Sequence, residues 1–288
     1  MDLIYFLYFL VVTPVFNPPA DWDAYINEEW KGHYKPFMDA DLGYGFPGYQ
    51  NFSSTFSSVG TFGLKMGYTS YDQSESYVYK LDQKYLFGKY TSSDMGEVMA
   101  TQLNPFSLEP YPDDIKTTNL SAGLGHNIGY GYKIGPFSLI PFNQNQIILT
   151  GSRFSYPDTL NSDVINTLSR LEGNTRFSVS TEGGAQFYLA EKIAVRASLE
   201  GQIIFPRYKF WSWLGSYALQ TLSTKLMGFY SESIVKSSPL LGPIMYLILQ
   251  NAVTFAWYYA MKNEMYWPIT SEAPFTMETI KLSGSFTF

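Results

Sequence analysis

The residues best equipped for chemistry lie on two stretches, 175–189 and 193–205, separated by Ala190, Glu191 and Lys192. On both, the even-numbered positions are polar: Arg176, Ser178, Ser180, Glu182 and Gln186, then Arg196, Ser198, Glu200 and Gln202. Two antiparallel strands that both turn their even positions inward need an odd number of turn residues between them. A three-residue turn sets Glu182 opposite Glu200. Two carboxylates at that spacing do not both ionise unless cations stand between them. Lys65, Lys133 and Lys281 fall on inward phases together with Arg176 and Arg196. Three chemistries fit such a set: charge-paired filling of a narrow enclosed space, the wall of a small polar pore, or paired catalytic acids with a proton path. The first is preferred, because a narrow barrel is filled by its own inward side chains.

Little else in the chain resembles catalytic machinery. There are two histidines and no cysteine, so thiolate metal sites and disulfides are excluded. His33 sits in a polar lead-in. His126 falls on an otherwise apolar phase, an awkward site that a local bulge or a protein contact would explain. No Ser/His/Asp arrangement, nucleophile elbow, phosphate-binding loop or metal-ligand spacing is present. The expectation is a protein that is not an enzyme and needs no cofactor. A net charge of −6 argues against nucleic acid as a partner.

The elements that must position the charged residues are strands. Thr279 to Phe288 alternates strictly, with Ile280, Leu282, Gly284, Phe286 and Phe288 on one face and Lys281, Ser283 and Ser285 on the other. Asn119–Lys133 does the same. Further strands are read at 38–48, 60–69, 77–90 and 137–154, the last with a bulge near 141–145 where the phase is unclear. Aromatics reach 18% and charged residues only 15%, at a mean hydropathy of −0.10. That combination fits a transmembrane barrel, in which lipid-facing and lumen-facing residues average out.

The terminal strand, ending on an aromatic, resembles the last strand of outer-membrane β-barrels of Gram-negative bacteria. The run 186–199 resembles the strand, short lysine-bearing turn and strand of small barrels of the outer membrane protein A-like kind. The likeness covers 38–206 and 275–288 and lies in pattern and turn style. It departs at Ser283, where the family usually has the glycine that stands here at Gly284. The resemblance implies an all-β, antiparallel up-and-down barrel of eight (possibly ten) strands in the bacterial outer membrane. It also implies that Phe286 and Phe288 are the signal read by the barrel-assembly machinery. The connections sort accordingly: short turns at 71–76, 134–135 and 190–192 on the periplasmic side, long loops at 91–118, 155–174 and 207–274 outside. Tyr68, Tyr77, Tyr130, Tyr132, Phe137, Phe187 and Phe288 then form a periplasmic aromatic girdle.

Two segments fall outside this pattern. Residues 1–17 read as a signal peptide or an apolar N-terminal segment, and 18–37 as a periplasmic lead-in. Residues 207–274 read as a helical insertion on the exterior side, with helices at 210–230 and 240–261. Two crossings would preserve the strand directions, so a spanning hairpin also fits. The second helix looks apolar around most of its circumference, and such a helix must be buried in protein or lipid. Leu241, Ile244, Leu247, Ile248, Phe255 and Trp257 are therefore expected to contact lipid or another membrane or surface protein. Together these features suggest a non-enzymatic outer-membrane barrel, a structural or complex-forming subunit acting through its insertion. A small pore or transporter for apolar ligands, and a lipid-acting enzyme, are the alternatives.

Overall fold

The computed structural model describes residues 34–50, 52, 54–75, 78–103, 114–238 and 240–288. The expectations for 1–33, including the signal peptide and His33, lie outside these residues, as does Tyr77. Eight strands close into one antiparallel barrel: β1 (Tyr34–Tyr49), β2 (Val59–Glu75), β3 (Val78–Ser92), β4 (Lys116–Ile134), β5 (Phe137–Ser155), β6 (Thr175–Ala190), β7 (Ile193–Ile204) and β8 (Phe275–Thr287). Each strand pairs with its sequence neighbours, and β1 closes on β8 from Phe37↔Thr287 to Tyr49↔Phe275. Closure leaves no unpaired sheet edge, which alternating strands of this length need wherever water cannot satisfy their backbone. The count is eight, not ten.

Several boundaries differ from the sequence reading. β1 takes in Tyr34–Phe37 from the expected lead-in. β2 runs to Glu75 through the expected turn. The long loop after β3 opens with a helix, α1 (Ser93–Leu103), that was not foreseen. Lys116 ties α1 to the barrel rim. Its ammonium lies 2.8 Å from the Glu97 carboxylate. A short helix, α2 (Ser162–Ser169), lies in the β5–β6 loop and is capped by the Asn161 side chain accepting from the Asp163 amide. No bulge interrupts β5. Its pairing with β4 and β6 keeps one register throughout. The phase looked unclear because apolar Ile140 and Phe142 point inward and are buried, while Asn143 and Asn145 point outward.

The barrel is closed at both ends. At the end of the long loops, Ile115, Val164, Leu168, Leu171, Ile204 and Phe275 form a buried apolar layer. At the end of the short turns, Leu81, Ile140, Tyr188 and Ala194 form another. The turn there between β4 and β5 uses Gly135 at φ +65°, a conformation that favours glycine.

The insertion holds two helices, α3 (Phe210–Ser237) and α4 (Gly242–Asn263). They do not cap the long-loop end. Trp213 packs beside Ile203 and Phe205 near that end, but Val235 at the far end of α3 packs with Val78 and Tyr130 at the short-turn end. α4 then returns along the outer wall across β4, β5, β6 and β7. The hairpin is thus a two-helix buttress running the height of the barrel.

Candidate functional site: the lumen and the helix-covered wall

Alternation decides what each strand turns inward. In β1 to β4 and β8 the odd positions face the lumen; in β5, β6 and β7 the even ones do. Eight charged side chains are thereby brought together: Lys65, Lys89, Arg196 and Lys281 with Asp39, Asp41, Glu182 and Glu200, all buried. Four cations face four anions, so the set is neutral. Glu182 and Glu200 are directly paired across β6 and β7. The turn between them, Glu191-Lys192 plus an irregularity between Tyr188 and Ala190, supplies the odd residue count.

Lys281 stands between the acids. Its Nζ is 3.0 Å from Asp41, 3.0 Å from Glu182 and 3.3 Å from Glu200. Lys89 donates to Glu200 at 3.0 Å and to Gln202 at 2.8 Å. Lys65 lies 3.5 Å from Glu182. Arg196 reaches Asp39 at 3.3 Å, donates to Gln83 and Gln186 at 2.8 Å each, and lies over the Phe142 ring. Gln144 and Ser198 complete the Glu182 carboxylate at 2.5 and 2.7 Å. Charges this deeply buried persist only when paired and hydrogen-bonded. The carboxylates are cross-linked by cations on four different strands, an arrangement that rigidifies the barrel.

Two of the expected members lie elsewhere. Lys133, at the end of β4, is exposed, with its ammonium over the Tyr79 ring. Arg176, at the mouth, is half-buried and donates to the Arg170 carbonyl. Both have the inward phase but sit beyond the closed part of the lumen. Asp39, Asp41 and Lys89 belong to the set and were not singled out. Their inward phase was the available signal, obscured for Lys89 by the poor alternation of β3. With both ends plugged and the middle filled by ion pairs, the described residues leave no continuous water path. Reconstituted in planar bilayers, the protein is expected to give no stable ion conductance; steady unit steps would show that a plug opens.

The outer wall carries the opposite polarity. Leu42, Leu64, Leu86, Leu120, Leu149, Leu199, Ile280 and Leu282 are all exposed. Phe286 and Phe288 are also exposed, their rings in edge contact at 5.1 Å near the short-turn end. Tyr68, Phe137 and Phe187 of the expected girdle are exposed as well. Tyr130 is not: it is buried beneath Tyr246 of α4 and donates to Glu232 of α3 at 2.7 Å. Tyr132 donates to the Leu240 carbonyl at 2.5 Å in the helix–helix connection.

Among the described residues, polar side chains near mid-height on the wall gather where the hairpin covers or flanks it. Asn143 donates to Asn251 and Thr254 at 2.9 Å each. Lys80 pairs with Glu232 at 3.2 Å, and Lys262 with Glu278 at 2.7 Å. Gly183 and Gly201 let α4 approach closely: a Cβ on Gly183 would meet the Asn251 amide, and one on Gly201 the Tyr258 ring. His126 bonds Asp82 at 3.0 Å beside this region, in a β3–β4 register without a bulge. Its partner is therefore a protein contact.

α4 is not apolar all round in its contacts. It turns Tyr246, Gln250, Thr254, Trp257, Tyr258 and Met261 inward, a stripe of helical period, and all six are buried. Trp257, expected to touch lipid or a partner, instead donates its indole N–H to Ser223 of α3 at 2.6 Å. Phe255 is half-buried against the cluster around Ile203 and Trp213, and Leu247 is half-buried. Leu241, Ile244 and Ile248 are exposed.

A polar, ion-paired lumen inside an apolar wall of eight antiparallel strands defines the fold class of small transmembrane β-barrels. Comparison with solved structures finds distant likenesses. Neisserial surface protein A matches with 6% identity over 88% of this chain and 97% of that one, at a TM-score of 0.37. Ail, the attachment invasion locus protein of Yersinia pestis, matches with 8% identity over 88% and 99%, at a TM-score of 0.27. A second structure of Ail, with the heparin analogue sucrose octasulfate, gives 9% and 0.29. Likeness this distant says nothing of what the present chain binds. No protein-family profile and no curated protein matches the sequence.

Proposed function

We propose that this chain is an integral β-barrel of a Gram-negative outer membrane, closed to solutes and without catalytic activity, whose helical hairpin is a lateral lipid-contacting element. The observation that carries the reading is the reversed polarity. Exposing so many large apolar side chains on one continuous surface is tolerable in lipid and not in water, where each costs roughly 1.5–3 kcal/mol. The hairpin continues that surface. Leu219, Leu222, Leu226 and Phe229 of α3 and Leu241, Ile244 and Ile248 of α4 are exposed on its outer side. Neither helix is long and apolar enough to cross a membrane alone. Beside the barrel neither has to, since the wall shields α4's polar stripe. This geometry favours lipid over a second protein as the hairpin's contact.

The test is direct. Purified protein is expected to insert into vesicles, resist extraction at alkaline pH, show mainly β circular dichroism and run faster on a gel when unheated. Full release from vesicles at alkaline pH would overturn the membrane reading.

A further inference from the structure

Between α3 and the outer wall lies a cleft of about 500 Å³, within the ~300–1,000 Å³ range of small-molecule sites. Its floor is a single row: Met66, Leu86, Leu124, Ile147 and Val179, one from each of β2 to β6, each directly opposite the next in register. Strands ~4.8 Å apart make that row an apolar track ~19 Å long. Its roof is one face of α3, where Tyr217, Gln220, Thr221 and Thr224 recur at helical spacing. α3 packs chiefly on α4 rather than on the strands, so over this stretch it stands off the wall.

The polar side chains around the cleft are committed to one another. His126 bonds the Asp82 carboxylate at 3.0 Å, and Lys84 faces the same carboxylate. Tyr217 and Thr221 are hydrogen-bonded to each other, and Asn145 donates to Asn143. Lys225 is exposed, and its long stem lets the ammonium leave a hydrocarbon layer. What the cleft presents to a ligand is therefore its apolar track. Met66, Leu86, Leu124 and Ile147 lie near the middle of their strands. In a hydrocarbon layer ~30 Å thick, acyl chains reach that depth and lipid heads do not. The track also continues the bare wall, since Leu64 and Leu149, two residues along from Met66 and Ile147 on the same phase, are exposed. We propose that the cleft seats one acyl chain of a phospholipid from the surrounding bilayer, a retained lipid that fills the space between α3 and the barrel. A chain in the cleft touches protein on two sides, whereas a chain on the bare wall touches it on one. Between apolar groups already out of water, such packing contacts are what favour one position over another.

The inference rests on the membrane reading, and the experiment separates the two. Full-length protein is inserted into vesicles of phosphatidylethanolamine and phosphatidylglycerol doped with palmitate, solubilised in mild neutral detergent, and weighed by native mass spectrometry. One phospholipid per protein is expected to survive detergent washing. Thr221→Trp and Leu124→Trp, which fill the cleft from roof and floor, should each lower the retained fraction at least fivefold. Leu282→Trp, on the exposed wall of β8, should leave it unchanged. The mobility of unheated protein on a gel checks that each barrel is intact, and Thr221 lies on the helix, outside the barrel. Palmitate retained in place of phospholipid, or phospholipid retained equally in both cleft variants, would overturn the assignment. Vesicle insertion without a retained phospholipid removes this inference alone; failure to insert removes the membrane reading.

Discussion

Replacing Lys281 by methionine is expected to lower the barrel's unfolding free energy by about 3–5 kcal/mol, the cost of breaking a buried ion pair from one side. Lys281 is within 3.0–3.3 Å of Asp41, Glu182 and Glu200 and fully buried. Its removal leaves Glu182 with Lys65 at 3.5 Å and Glu200 with Lys89 at 3.0 Å. It leaves a lumen of four acids and three cations with one negative charge in excess. A urea titration in detergent, followed by the mobility of unheated protein, measures the loss. The double variant Lys281→Met with Glu182→Gln restores neutrality and should recover at least half of it. A loss below ~1 kcal/mol, the worth of a solvent-exposed ion pair, would mean that water reaches the network and that the lumen is not closed as described.

Replacing residues 208–265 by a short Gly/Ser loop is expected to leave a closed, heat-modifiable barrel that is markedly less stable in lipid. The ladder from β1 to β8 and the lumen network involve none of these residues, so closure should survive. The wall beneath would be left bare. Lys80 loses Glu232, Glu278 loses Lys262, and Asn143 loses Asn251 and Thr254. A lysine on a lipid-facing strand costs ~2–4 kcal/mol at the bilayer midplane and ~0–1 near the interface. A loss of at least ~2 kcal/mol in vesicles is expected for the three sites together on that scale. Adding Lys80→Leu and Asn143→Leu to the truncated barrel should return most of it. If the truncated barrel does not fold in detergent, the hairpin is part of the folding core. If its stability in lipid is unchanged, the polar patch does not meet the hydrocarbon layer.

Strand identity, strand number and the inward set could be read from the sequence because a sheet with two unlike solvents imposes a period of two on every residue it contains. Thr279–Phe288 and Asn119–Lys133 show this without interruption, and the residue count between Glu182 and Glu200 sufficed to pair them. Phase says which way a side chain points but not how far along the barrel it sits. Lys133 and Arg176 therefore looked equivalent to Lys281, although one lies in the last turn-side residues of its strand and the other at the mouth.

Where the period failed, the cause was tertiary. Lys80, Asp82 and Lys84 in β3, and Asn143 and Asn145 in β5, are polar on the outward phase, and Ile140 and Phe142 are apolar on the inward one. Read alone, they suggested weak alternation and a bulge. In the folded chain the outward ones mark ground that α3 and α4 cover or flank, and the inward ones help close the short-turn end. Likewise Asn251 looks out of place in an apolar helix until the wall supplies Asn143 as its partner. A helix lying on a barrel replaces one solvent with protein over a patch set by three-dimensional contact, and no period along the chain encodes that patch. The strands were therefore determined locally, while the placement of the hairpin against β4 to β7, and the cleft it encloses, was decided only when the barrel closed.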